Sequence, residues 1–182
     1  MNSPRTIPET QISPDKKIFQ NSRKKILQTV KRGLSIGART TNTQGDGLAK
    51  DFKQLFQVEE REKLLKVTRC AFSTKHGPIQ GLLFISNIKV AFCSDKDIRF
   101  TTSDAGEFKE APYKVIIDLA MIYTVTPSEN VKDSSEKYLE VVTVDGHDLW
   151  FMKMENYQNT VKCVQEALHA VLNSYTTLPE LE

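Results

Sequence analysis

Gly81-Leu82-Leu83-Phe84-Ile85-Ser86-Asn87-Ile88-Lys89-Val90-Ala91-Phe92-Cys93-Ser94 decides the fold class. Two short apolar runs, rich in β-branched and aromatic residues, flank a single turn residue, Asn87. That composition reads as two strands joined tightly. In the second run Ile88, Val90 and Phe92 fall on one face, and Lys89, Ala91 and Cys93 on the other.

Working outward, the period of two continues. Leu64–Ser73 reads as strand 1, and His76-Gly77-Pro78 as a loop. Gln80–Ser86 and Ile88–Ser94 are strands 2 and 3. Ile98–Thr102 follows as strand 4, with Ser103–Gly106 as a loop. Tyr113–Leu119 alternates as strand 5, and Ile122–Thr126 is a short strand 6. Tyr138–Val144 and His147–Met152 form a hairpin across Asp145-Gly146. Trp150 and Phe151 are expected in the core.

Two amphipathic helices bracket the strands. Near residues 46–63, Asp46 is an expected N-cap, and Leu48, Phe52, Leu55 and Phe56 recur at helical spacing. That apolar face should dock on the following domain. Glu59–Lys63 reads as a solvated helix end. Residues 155–172 carry Tyr157, Val161, Val164, Leu168, Val171 and Leu172 on one stripe, with Asn156 as the expected cap. Cys163 is expected to face away from that stripe. The expectation is a mainly β domain: seven or eight short antiparallel strands in a barrel or orthogonal sandwich, plugged by a C-terminal amphipathic helix.

The chain has 182 residues and 39% hydrophobic content, enough for one domain with a core. No apolar run approaches the ~18 residues that span a bilayer. The N-terminus lacks the apolar region of a secretory signal. Cys70, Cys93 and Cys163 are few, odd in number and widely spaced, so they are expected to be reduced thiols in a cytosolic compartment.

Charge is segregated. Residues 1–50 hold ten Lys/Arg against three Asp/Glu, a net +7. Residues 51–182 hold fifteen against twenty, a net −5. Residues 1–45 therefore read as a basic, largely disordered arm punctuated by Pro4, Pro8 and Pro14. Within it Phe19, Ile26, Val30 and Leu34 recur at roughly helical intervals among Arg23, Lys24, Lys25, Lys31 and Arg32. These five cations are the candidate membrane-attachment residues, on a helix that forms at an anionic surface or on a solvated linker. The same cluster also fits a nuclear signal. Nucleic acid is disfavoured, because the arm offers only Phe19 for stacking and the body is acidic.

Several blocks together resemble a known family. Glu62–Leu65, Gly81–Asn87 and Val90–Ser94 resemble the opening of a GRAM domain. Pro112–Ile117 with Leu119, and then Tyr138–Met152, fit its later blocks in order. Over roughly 46–172 the chain resembles the plant GEM-like proteins, also described as FH-interacting or abscisic-acid-responsive GRAM proteins. The resemblance implies a pleckstrin-homology-like domain at 46–174, leaving 175–182 as a short tail. It further implies a non-enzymatic intracellular adaptor for anionic lipid, phosphoinositides included, or for protein partners. Hormone or stress signalling and membrane trafficking are the implied settings. The implied location is cytoplasmic, peripheral on membranes, with the nucleus open. One departure is Asp118, where many members have proline; a local loss of edge protection is expected there.

The open end of such a domain suggests a ligand rim. Lys66, Arg69, Lys75, His76 and Lys89 are the candidate lipid-binding residues, with Lys96 and Arg99 nearby. Converging cations suit a multiply charged headgroup, since charge-assisted hydrogen bonds to phosphate are strong. Asp95 and Asp97 flank Lys96, so scattered surface charge is the competing reading. A purely protein-binding module without lipid is the alternative function. No catalytic set is expected: His147 and Asp148 are strand neighbours on opposite faces, His169 lies on a polar helix flank, and no phosphate-binding glycine loop occurs. No cofactor or metal is expected.

Ser22, Thr29 and Ser35 lie among the arm's cations. Aspartate substitution at these three positions should weaken binding of the full chain to anionic liposomes, because each adds a negative charge within the basic cluster. Unchanged liposome cosedimentation would exclude the arm as an electrostatic anchor.

Overall fold

The computed structural model describes residues 42–101 and 108–176, together with Ile26 and Gln28. Helix α1 (Asn42–Leu55) leads into seven strands: β1 (Leu64–Thr74), β2 (Gly77–Ser86), β3 (Lys89–Thr101), β4 (Phe108–Asp118), β5 (Ile122–Glu129), β6 (Lys137–Thr143) and β7 (Asp148–Met152). A 3-10 turn, Leu119–Met121, links β4 to β5, and helix α2 (Tyr157–Thr176) closes the chain of elements. Strand order is β4-β3-β2-β1-β7-β6-β5, all neighbours antiparallel. Among the described residues the four-stranded half is paired to the three-stranded half at Ala71↔Met152 and Phe72↔Phe151. This is the pleckstrin-homology-like arrangement. The sheet is not closed, since β4 and β5 are both edges.

Seven strands form, where the sequence allowed eight. Ile88–Ser94 and Ile98–Thr102 belong to one strand, β3. Its register to β4 shifts between Cys93 and Asp97. Asp95-Lys96-Asp97 therefore bends the strand as an irregularity without ending it. Strand β4 also starts earlier than the expected Tyr113, at Phe108. Asp118 ends that edge strand.

The β1–β2 ladder runs from Leu64↔Ser86 to Thr74↔Gly77. Its turn is Lys75-His76, closed by Gly77 at φ +111°, a conformation that favours glycine. Thr74 Oγ1 accepts the His76 N–H at 3.2 Å and donates to the Gly77 carbonyl at 2.7 Å.

Two apolar layers sandwich β2 and β3. Leu83, Ile85, Val90 and Phe92 face the inner cluster, which α2 covers with Val161, Val164, Ala167 and Leu168. Leu82, Phe84, Ala91 and Cys93 face an outer cluster with Phe52, Leu55 and Phe56. Phe52 and Phe84 stack at 5.6 Å between ring centroids. The apolar face expected near residues 46–63 thus docks as anticipated. Ile26 joins the outer cluster at 0% exposure, and both it and Gln28 are helical.

Several local expectations are corrected. Helix α1 starts at Asn42, so Asp46 lies inside it and is not the N-cap. Asn156 sits at φ +51°; its carbonyl accepts the Thr160 N–H at 3.0 Å, and no side-chain capping bond forms among the described residues. Cys163 packs partly against the inner cluster, whereas Leu172 is exposed. Phe151 is core, but Trp150 is only half-buried and meets Tyr138 edge-on.

Gly81 marks the tightest point of the sandwich. A Cβ there would collide with the Cys93 carbonyl oxygen and the Phe92 ring. Gly81→Ala should destabilise the domain by about 1–3 kcal/mol through overpacking. Phe52→Ala should cost about 3–5 kcal/mol by opening the outer layer. Urea unfolding checks both, and a wild-type midpoint for Phe52→Ala would mean α1 is not part of the folded unit.

Candidate functional site

The described members of the candidate rim separate in space. Lys75 and His76 are exposed at the β1–β2 turn, while Lys89 follows the turn at the other end of β2. The ladder between those ends is ten residues long, roughly 33 Å at about 3.3 Å per residue. One headgroup cannot span that distance, so the five candidates do not form a single pocket.

Lys89 is held internally. Its Nζ lies 3.0 Å from Glu62 Oε2, and both side chains are buried. It also donates to the Gln57 carbonyl. Ser86 Oγ donates to Glu62 Oε1 at 2.6 Å and accepts the N–H groups of Ile88 and Lys89. Lys114 Nζ donates to the Leu55 carbonyl at 2.8 Å, above the Phe56 ring. Two ammonium groups thus serve carbonyls at and just beyond the C-terminal end of α1, where a helix leaves its acceptors unpaired and its dipole favours cations. Glu62 is accordingly buried, not part of a solvated helix end.

Lys66 and Arg69 occupy the middle of β1. Lys66 is 7% exposed and lies near Cys163 of α2. Burial pushes the Cys163 thiol pKa up, and the Lys66 charge opposes that shift. Arg69 Nη2 pairs with Asp95 Oδ2 at 2.7 Å. Arg69 Nη1 and Asp95 Oδ1 are buried without a hydrogen-bond partner. The Arg69 carbonyl accepts the Glu155 N–H at 3.0 Å, and Thr68 Oγ1 donates to the Glu155 carbonyl at 2.8 Å. These contacts tie β1 to β3 and to the entry of α2. They leave Lys75 and His76 as the solvent-facing members of the set.

A different group shares their end of the sheet. Strands β1 and β3 run in the same direction, so the β1–β2 turn and the β3–β4 end lie together. Beyond Asp97↔Pro112, β3 and β4 form a two-stranded ribbon to Thr101↔Phe108. Phe100 is 46% and Phe108 is 69% exposed on it. Lys96 and Lys109 are exposed and, with Lys75, have no ion-pair partner among the described residues. Arg99 pairs with Glu110 at 3.2 Å and lies over the Phe108 ring. Asp97 shares this end. The sequence reading missed Phe108 because it began the next strand at Tyr113. Phe108-Lys109-Glu110 holds one apolar residue and two charged ones, so no period-two alternation marked the strand's start.

The candidate arm residues Arg23, Lys24, Lys25, Lys31 and Arg32 lie outside the described residues. Ile26, which directly follows Lys25, is anchored in the outer cluster. For chemistry, burial pushes the Cys70 thiol pKa far up, aided by the Asp95 charge. That opposes the thiolate a nucleophile needs. His147 Nδ1 lies 3.1 Å from Asp145 Oδ2 at an exposed turn. The Asp145 carboxyl is held below its usual range, first by the Thr143 hydroxyl and then by His147. Among the described residues no three His, Cys, Asp or Glu side chains are grouped to hold a metal. No described helix is long and apolar enough to cross a membrane.

Fold and surface define a pleckstrin-homology-like module with a helix-covered outer face. The GRAM domain profile matches residues 50–173. GEM-like protein 4 of Arabidopsis thaliana is 51% identical over 146 residues, covering 80% of this chain and 64% of that protein. GEM-like protein 7 of the same plant is 48% identical over 145 residues, covering 80% and 68%. The chain belongs to the GRAM domain family, as a member of the plant GEM-like proteins. It spans about two thirds of the length of these relatives. Among solved structures, a C-terminal domain from Leishmania infantum is similar with a TM-score of 0.49 and 20% identity, covering 70% of this chain and 98% of that one. The hSac2 domain of human phosphoinositide phosphatase Sac2 has a TM-score of 0.42 and 11% identity, covering 76% and 86%.

Removing one partner of a buried ion pair strands the other charge. Glu62→Leu or Lys89→Met should each cost about 3–5 kcal/mol of stability, while the double variant Glu62→Leu/Lys89→Met costs less than the sum. Chemical denaturation of the three proteins tests this. Additive losses would show that the pair is not coupled.

Proposed function

We propose that this chain is a non-enzymatic adaptor that attaches to the cytoplasmic face of anionic membranes and holds its GRAM domain there. Phosphoinositide-class headgroups are the matching ligands, because several cations concentrate where one end of the domain is open. The observation that carries the reading is the exposed Lys75, Lys96 and Lys109 beside the exposed Phe100 and Phe108. Aromatic rings favour the membrane–water boundary, and lysines favour anionic headgroups. Each cation near such a surface contributes about 1 kcal/mol. The arm's net positive charge adds to the same attraction. An adaptor of this kind suits signalling or trafficking at membranes. A second reading, a protein-interaction module without lipid, is favoured by the two open sheet edges, β4 and β5.

The test is cosedimentation of the full chain with neutral and phosphoinositide-containing liposomes. Truncation at residue 46 is unsuitable, since it would cut α1 and remove Ile26 from the outer cluster. Lys75→Gln, Lys96→Gln and Lys109→Gln should each weaken partitioning about fivefold, the equivalent of about 1 kcal/mol. An Arg23→Gln/Lys24→Gln/Lys25→Gln variant measures the arm separately. Equal wild-type binding to neutral and anionic liposomes, or none to either, would overturn the lipid reading in favour of the protein-binding one.

A further inference from the structure

We infer that Cys163 is a site of oxidation by hydroperoxides, and that the Lys66 ammonium beneath it receives the anion left on sulfur. Lys66 pairs with Ile85 in the β1–β2 ladder, and Thr68 pairs with Leu83. Partners across a ladder share a face. Ile85 and Leu83 belong to the inner cluster, so Lys66 points inward, under α2. It is only 7% exposed. The charged residues buried among the described ones are Glu62, Lys66 and Lys89, and the other two pair with each other. Lys66 has no hydrogen-bond or ion-pair partner among the described residues. Buried charges are ordinarily paired, so this cation lacks the usual counter-charge.

Helix α2 carries a thiol over it. Thr68 Oγ1 donates to the Glu155 carbonyl at 2.8 Å, and Thr160 Oγ1 to the same carbonyl at 3.4 Å. Thr160 therefore sits close to Thr68. From there α2 runs on to contact the 3-10 turn. That turn lies at the Leu64 end of the sheet, because the Leu119 N–H bonds the Ile88 carbonyl and the Asn87 N–H bonds the Lys63 carbonyl. Cys163 is about 4.5 Å further along the helix than Thr160. Lys66 is about 7 Å back along β1 from Thr68, in the same direction. The thiol and the ammonium thus meet at one seam. Cys163 is half-buried and packs partly on the inner cluster. Among the described residues the enclosed side-chain atoms without a partner are on Arg69 and Asp95, so the Lys66 tip touches solvent at this seam.

The reaction is a two-electron oxidation at sulfur. The Cys163 sulfur attacks a peroxide oxygen, an S–O bond forms and the O–O bond breaks. The thiol proton ends on the departing hydroxide as water. Sulfur is oxidised, the peroxide is reduced, and sulfenic acid results. A second peroxide molecule repeats the step and leaves the sulfinate. An adjacent lysine favours the attacking thiolate. It then holds the product anion by charge-assisted hydrogen bonds. Burial raises the Cys163 thiol pKa, Lys66 opposes that rise, and Glu166 adds to it. The site therefore answers sustained peroxide, not traces. Cys70 and Cys93 are 1% and 2% exposed and stay shielded.

The experiment treats the full chain with hydrogen peroxide, with and without dimedone to trap sulfenic acid, and maps the added oxygen by peptide mass spectrometry. Cys163 should be oxidised well before Cys70 and Cys93. Lys66→Met should slow that reaction about threefold or more, and Lys66→Arg, which keeps the charge, should stay within about twofold of wild type. Thermal unfolding reads the product. The wild-type sulfinate form should melt no lower than the thiol form. In Lys66→Met, oxidation should lower the melting temperature, because the new anion is then buried without a partner. A far-UV spectrum verifies that each variant folds. Equal oxidation of the three cysteines overturns the proposal. So does a Lys66→Met rate at or above wild type, or a Lys66→Arg rate as slow as that of Lys66→Met. A wild-type melting temperature that falls on oxidation as far as that of Lys66→Met overturns the ion pair. The readout involves no lipid, so it stands apart from the membrane reading.

Discussion

Residues 82–85 and 90–93 each alternate between two hydrophobic layers, and that double burial organises everything around them. An antiparallel sheet can leave one face in water. Here the β2–β3 pair cannot, because Leu82, Phe84, Ala91 and Cys93 are as apolar as their inward-facing neighbours. A cover is required on each side. Helix α2 supplies the inner one, and α1 with Ile26 supplies the outer one. The segment before the strands is therefore structural in part, and the boundary between arm and domain is not a clean cut at residue 45.

The outer cover also explains the fate of the lysines. A helix packed on a sheet brings its unpaired C-terminal carbonyls to the protein interior. Lys114 meets one at Leu55, and Lys89 meets the Gln57 carbonyl just beyond. A buried ammonium needs a counter-charge, so Glu62 accompanies Lys89 and Ser86 fixes the carboxylate. Arg69 and Asp95 form a second internal pair. Cations are thus withdrawn from the middle of the domain. Lys75, at the β1–β2 turn, and Lys96 and Lys109, at the β3–β4 end, stay open to solvent at one end of the sheet.

This division was only partly legible in the sequence. Period-two alternation is a local property, so the strands, the Asp145-Gly146 turn and the terminal helix could be read directly. The apolar spacing of Phe52, Leu55 and Phe56 marked a face that docks on the domain, and the structure shows that Leu82 and Phe84 receive it. Asp95-Lys96-Asp97 falls between the expected strands Ile88–Ser94 and Ile98–Thr102, and three charged residues carry no apolar alternation to join them. Only the ladder to β4 shows that one strand runs through them. The lysines were opaque for a different reason. Lys75 and Lys89 are chemically equivalent in sequence, and their fates differ because Glu62 and Gln57 reach one and not the other. That is a long-range fact of α1 docking. Ile26 was legible as part of an apolar stripe with Phe19, Val30 and Leu34, but nothing local showed that the domain itself would bury it.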